Sequence, residues 1–273
     1  MTLKQIIESN VSILMRSLDP SPVLLGRLRS VPFVKDRIWS IKQQITDQYK
    51  VDALLDVLVE VPDDIQEKVT NDFISALRTS GQDHVANIFR RESNKVPMPD
   101  EHYRTLTVKS YQLCQFVDPE NGLLDKLVST EVISFVNAQY IRTVSDYTEM
   151  VRKLIEVLTR KSDDTFNGFI NALNVTGQSH VSYMLTGEGN SRPLKEEHRR
   201  RLLANPRDYL TNTIDSKTCG LITALMVKGV FSQYDEQRVT RVQPDTHYDR
   251  NEIILNLIAR KSQADFFKFI SKK

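Results

Sequence analysis

A thirteen-residue segment of this chain recurs 96 positions on with eight of its residues unchanged. Phe73-Ile74-Ser75-Ala76-Leu77-Arg78-Thr79-Ser80-Gly81-Gln82-Asp83-His84-Val85 returns as Phe169-Ile170-Asn171-Ala172-Leu173-Asn174-Val175-Thr176-Gly177-Gln178-Ser179-His180-Val181. The register holds onward, pairing Pro97 with Pro193, His102 with His198 and Arg104 with Arg200. A third copy follows. Leu158-Thr159-Arg160-Lys161-Ser162 returns 100 positions on as Ile258-Ala259-Arg260-Lys261-Ser262, and Phe166, Phe169 and Ile170 return as Phe266, Phe269 and Ile270. A repeat this long exceeds the roughly 20–50 residues of solenoid units, so each copy is expected to close a core of its own. Domains are expected over 1–91, 98–187 and 194–273. The last stops just inside its fifth helix, as a fragment of a longer chain or a degenerate copy would. Tandem copies favour binding by multiplicity over a single catalytic centre.

The pattern within each copy is helical. Val51, Leu54, Leu55 and Leu58 fall at i, i+3, i+4 and i+7, as do Val151, Leu154, Ile155 and Leu158. The third copy keeps Ile254, Leu255 and Ile258 but has Asn251 at the first position. No stretch alternates with period two, so a sheet is not expected. Leu18-Asp19-Pro20 and Val117-Asp118-Pro119 each stop a helix before a new apolar run, and Ile214-Asp215 stands at that place in the third copy. Gly81 and Gly177 end a helix where positive φ is needed. In the first copy six helices are expected, at about 2–18, 22–30, 34–48, 51–60, 65–79 and 82–91, joined by loops short enough to make a compact antiparallel bundle. Polar, proline-containing linkers span 92–101 and 187–197.

Apolar residues make up 40% of the chain and charged residues 26%, an ordinary globular composition, and the formal charge is +2. Such a balance gives no electrostatic case for nucleic acid or an anionic membrane. No apolar run is long enough to span a bilayer, and the first residues lack a signal-peptide core. Cys114 and Cys219 occupy non-equivalent positions, so they read as free thiols, and a cytoplasmic location is expected.

A six-helix unit whose fifth helix ends Phe-Ile-x-Ala-Leu-x-x-(Ser/Thr)-Gly-Gln-x-His-Val resembles the caspase recruitment domain, a branch of the death-fold superfamily. Residues 73–85 and 169–181 carry that pattern, and Leu18-Asp19-Pro20 followed by Leu24, Leu25 and Leu28 agrees with it. Two copies in tandem, the second beginning Leu113-Cys114-Gln115-Phe116-Val117-Asp118-Pro119, are similar to the signalling region of RIG-I-like cytosolic RNA sensors. The Arg-x-Asp-Leu signature of death-effector domains is missing. The resemblance implies an all-α fold of tandem antiparallel six-helix death-fold bundles, the third lacking its last helix.

Catalytic and metal-binding constellations read as structural. Asp63-Asp64 and Asp163-Asp164 are paired carboxylates, but they are expected in the first turn of helix five, complementing its dipole, with Ser162 and Ser262 as caps. Matched His84 and His180, and His102 and His198, lack companions at ligand spacing. His84 precedes the apolar Val85, Ile88 and Phe89 face and reads as a helix-start or packing residue. Arg90-Arg91 and Arg199-Arg200-Arg201 carry no interleaved aromatics and read as solvated faces. No enzyme activity, cofactor or metal is expected.

Segregated charge is the stronger signal. Arg27, Arg29, Lys35, Arg37 and Lys42 face one acid, Asp36, whereas Asp52, Asp56, Glu60, Asp63, Asp64 and Glu67 occupy 52–67 without a cation. The second copy reverses the order, with Asp118, Glu120, Asp125 and Glu131 against Lys126, then Arg152, Lys153, Arg160 and Lys161 against Glu156. Dipolar modules of this kind can associate head to tail, and a contact that does not close builds a filament. Together with the resemblance, this implies a non-enzymatic adaptor or scaffold that binds other recruitment-domain proteins and itself, in apoptotic or innate-immune signalling, without direct nucleic-acid or membrane contact. The alternatives are the signalling end of an RNA-activated helicase-type sensor, or a decoy that caps such assemblies.

Overall fold

The computed structural model describes residues 2–90, 95–204, 220–241 and 247–271. Among them the chain is all-α, with eighteen α-helices, one short 3-10 helix and no strand. No described helix is long and apolar enough to cross a membrane. Arg91, Ile214-Asp215 and Cys219, singled out in the sequence, lie outside the described residues.

Helix α1 (Leu3–Ser17) starts in a capping box. The Thr2 hydroxyl accepts from the Gln5 amide, and the Gln5 side chain accepts from the Thr2 amide. The chain leaves it at Leu18 in an extended conformation, ahead of Asp19-Pro20. Pro22 sits in the first turn of α2 (Pro22–Arg27), capped by Ser21, and a 3-10 turn, Leu28–Ser30, follows. Helix three departs from expectation. Instead of 34–48, α3 covers only Ile38–Lys42. After Phe33, whose φ is 68°, residues 34–37 stay in turns, with Arg37 N donating to Val34 O, so the helical ladder starts only at Ile38. Thr46 then caps a new helix by accepting from the Tyr49 amide, so α4 (Asp47–Val59) claims the residues at 47–48. Helices α5 (Gln66–Thr79) and α6 (Asp83–Arg90) complete the first copy.

The expected face of α4, Val51, Leu54, Leu55 and Leu58, is buried in one core with Leu14, Leu24, Leu28, Ile41, Phe73 and Leu77. Each such side chain contributes about 1.5–3 kcal/mol. Phe73 of α5 meets Phe89 of α6 edge-on, with ring centroids 5.2 Å apart. Asp63 and Asp64 are not in the first turn of α5. That helix begins at Gln66, and the two acids stand exposed in the preceding turn.

The chain divides into two compact units, 1–104 with 156–166, and 105–155 with 167–273. The boundaries fall inside α7 (Asp100–Val108), α11 (Tyr147–Thr159) and α12 (Asp164–Val175). In the first unit the linker after copy one is pinned by an isolated antiparallel bridge between Pro97 and Ser162. Met98 N donates to Lys161 O and Asp163 N to Val96 O. Asp163 also lies 2.7 Å from His102 Nδ1, and His102 stacks on Phe166. Asp163 therefore fastens the linker and precedes α12, whereas Asp164 is in its first turn.

The second unit holds α8 (Ser110–Phe116), α9 (Leu123–Ser129), α10 (Phe135–Arg142), most of α11 and α12, and α13 (Ser179–Thr186). The third copy supplies α14 (Glu196–Leu203), α15 (Leu221–Val227), α16 (Gln233–Thr240), α17 (His247–Ala259) and α18 (Gln263–Ile270). The linker bridge recurs at Pro193 and Ser262. Ser262 caps α18 by accepting from the Asp265 amide, as expected. Cover in copy three is uneven. Ile254, Leu255 and Ile258 are buried because α14 and α16 pack on α17. The open face belongs to α18, where Phe267 and Ile270 are 51% and 53% exposed. In copy one the helix that covers α5 is α6, and no counterpart follows α18 among the described residues.

Candidate protein-binding site

The Gly-Gln-x-His motif does two separate jobs. After α5 the chain reverses at Gly81, whose φ of 77° suits glycine, and Gln82 turns inward. Asp19 N donates to Gln82 Oε1 and Gln82 Nε2 donates to Asp19 O, both at 2.8 Å. Gln178 clasps Asp118 in the same way, at 2.8 and 2.9 Å. The peptide at each Asp-Pro break has left its helix, and the glutamine satisfies it. The histidine reaches into the following copy. His84 Nε2 lies 2.8 Å from the carbonyl of Arg160, and His180 Nε2 lies 2.7 Å from that of Arg260, so each Nε2–H donates. Burial pushes both imidazoles down to about 4, which leaves them neutral at pH 7.

The Arg160 side chain closes the first joint. Its Nη1 lies 2.9 Å from Asp47 and 3.5 Å from Asp19, and its Nη2 lies 3.1 Å from Glu156. Burial works against the guanidinium charge, but hydrogen bonding to Asp47 and the fields of Glu156 and Asp19 outweigh it and raise its pKa. Burial also works to raise Asp47, yet hydrogen bonds from Lys50 and Arg160 win and lower it. For Asp19 burial prevails over Arg160 and Lys161, and its pKa rises.

These joints remove three residues from the charged faces expected from the sequence. Asp118 is buried and paired with Arg238. Arg160 is spent on Asp47, Asp19 and Glu156. Lys161 is half-buried beside Asp19, and its pKa is lowered by burial. Three more charged residues of the second copy have local partners. Asp125 pairs with Arg142 and Arg152 with Glu149. Lys153 donates to Thr143 Oγ1 and stands 4.5 Å over the Tyr140 ring.

In copy one, Arg37 pairs with Glu60 and stacks on Phe33, so the ends of the basic and acidic segments meet. Arg27 and Arg29 near the end of α2, Asp52 and Asp56 on α4, and Asp63 and Asp64 in the turn before α5 remain exposed, with no ion pair to a described residue. Within the basic segment of the sequence, on α3, the chain's single tryptophan, Trp39, is 72% exposed. The counterpart helix in copy two, α10, also leaves apolar side chains outside, Phe135, Val136 and Tyr140. Sequence reasoning passed over Trp39 because its neighbours Ile38 and Ile41 carry the buried stripe and α3 is too short for its outer face to register. It also passed over Arg238 and Tyr147, which have no counterpart of the same type in copy one.

No protein-family model matches the chain, and no curated protein matches it.

Proposed function

We propose that this chain is a non-enzymatic signalling scaffold that binds recruitment-type helical domains, copies of itself included, through the charged faces of its first copy. One observation carries the reading. The exposed Trp39 falls within the same stretch of sequence, 27–42, as the unpaired Arg27 and Arg29, and the unpaired acids lie on a different helix and its following turn. Tryptophan and arginine are the residue types most enriched where interfaces concentrate their energy, with about 2 kcal/mol or more at such positions. Exposed ion pairs add only about 0.2–1 kcal/mol each, so several must act together. The contact is heterologous, basic face to acidic face, and can propagate. The resemblance to caspase recruitment domains supports apoptosis or innate immunity as the setting.

Sedimentation velocity tests the proposal. The wild-type chain is expected to self-associate at low salt and dissociate as salt rises. Trp39→Ser combined with Arg29→Glu should abolish association and leave thermal unfolding unchanged. A wild-type chain that stays monomeric at every concentration, or a double variant that associates normally, removes the proposal.

A further inference from the structure

The two inter-copy joints are built from equivalent positions, yet they balance charge differently. In the first unit a cleft of about 440 Å³ is lined by two arginines, Arg16 and Arg160, and two carboxylates, Asp47 and Glu156. In the second unit the described residues lining a cleft of about 500 Å³ include Arg199, Arg238 and Arg260 and one carboxylate, Asp146. The repeat register shows how the balance shifts. Tyr147 stands where copy one has Asp47, Asn256 where copy two has Glu156, and Arg199 where copy two has Tyr103. Each exchange removes a negative charge or adds a positive one. Asp19 pairs with Arg160 and Asp118 with Arg238, so counting those acids leaves the difference intact.

The three guanidiniums are positioned and incompletely used. Arg260 Nη1 donates to the carbonyls of Val117 at 2.7 Å and Cys114 at 3.2 Å. Its Nη2, the atom that meets Glu156 in Arg160, has no acid partner among the described residues. Arg238 and Arg260 both lie over the ring of Tyr147, at 4.7 and 5.2 Å, which holds the two guanidiniums at one platform. Arg199 stands 5.9 Å over the Phe116 ring, and its one acid partner among the described residues is Glu196, at 3.8 Å, which also takes Arg200 at 3.0 Å. Burial, reinforced by the neighbouring Arg238 and Arg199 charges, lowers the pKa of Arg260 despite Asp118, whereas Arg160 is raised in the first joint.

Planar forked donors match phosphate oxygens in bidentate fashion, and a cleft of this size suits a small molecule rather than a protein surface. We propose that the cleft binds a small phosphate-bearing anion, with Arg199, Arg238 and Arg260 as its donors.

Calorimetry with inorganic pyrophosphate on the full chain, at fixed ionic strength, tests this. One site per chain is expected. Asn256→Glu restores the carboxylate of the first joint and should weaken binding by about tenfold or more, as should Arg199→Gln, while Arg201→Gln, an exposed arginine paired with Glu197, should not. If Asn256→Glu does not fold, Arg199→Gln decides. Absence of binding at millimolar pyrophosphate, or equal binding by Arg199→Gln, overturns the proposal. A lipid headgroup could present the same chemistry, so phosphatidylcholine vesicles carrying phosphatidylinositol 4,5-bisphosphate form a second arm. Vesicle binding that pyrophosphate displaces supports the same site, and vesicle binding that pyrophosphate leaves untouched overturns the assignment.

Discussion

The Nε2–H of His84 donates to the main-chain carbonyl of Arg160 at 2.8 Å, across 76 residues of chain. His180 repeats the bond with Arg260 at 2.7 Å, across 80 residues. The repeated histidine is thus part of a joint between consecutive copies, and its burial makes that joint sensitive to acid.

Both imidazoles are held at about 4, below the ordinary 6.5. Between those values the unfolded chain binds more protons than the folded one, so the stability these groups confer is present above pH 6.5 and lost as pH falls toward 4. The loss is about 3 kcal/mol per histidine. Urea unfolding across that range should show stability falling steeply in the wild type. His84→Gln with His180→Gln keeps a donor without a titration and should flatten the slope. Identical slopes would rule this out.

Gln82→Ala should destabilise the first unit by about 2–3 kcal/mol, because it leaves both polar groups of the Asp19 peptide without their partner. Gln178→Ala should do the same to the second. A cost below about 0.5 kcal/mol in either case, read from urea midpoints, would show that water replaces the glutamine.

Equivalent positions should differ in cost according to cover. Ile74 of α5 is buried, whereas Ile270, its counterpart on α18, is 53% exposed. Ile74→Ala should cost about 2–5 kcal/mol and Ile270→Ala less than about 1 kcal/mol. Amide exchange should likewise be faster across α18 than across α5. Similar costs and rates would mean that α18 is covered in solution.

The paired acids should separate by role. Asp163→Asn weakens the contact with His102 and should lower stability, whereas Asp63→Asn with Asp64→Asn should leave stability unchanged and weaken self-association. Thermal unfolding and light scattering on the same samples distinguish them, and equal loss of stability at both pairs would contradict the assignment.

The all-helical class was legible because Val51, Leu54, Leu55 and Leu58 and their counterparts keep the helical period wherever a buried face demands it. The Asp-Pro stops and Gly81 were legible because backbone geometry restricts the residue types there. The shortening of α3 was not, since the turns at 34–37 and the Thr46 cap leave no mark in the apolar pattern. Asp118 and Arg160 looked like surface charge because linear segregation of sign cannot reveal partners such as Arg238 and Asp47, which lie 120 and 113 residues away. Trp39 escaped notice because an outward residue on a five-residue helix leaves no periodic trace.

The proposed head-to-tail contact is tested most directly by mixing two charge-reversed variants. Arg27→Glu with Arg29→Glu destroys the basic face and keeps the acidic one, and Asp52→Lys with Asp56→Lys does the converse. Light scattering at low salt should find each variant dispersed alone. A one-to-one mixture should assemble, because each variant supplies the face the other lacks. Variants that assemble alone as readily as the wild type, or a mixture that stays dispersed, would contradict the account.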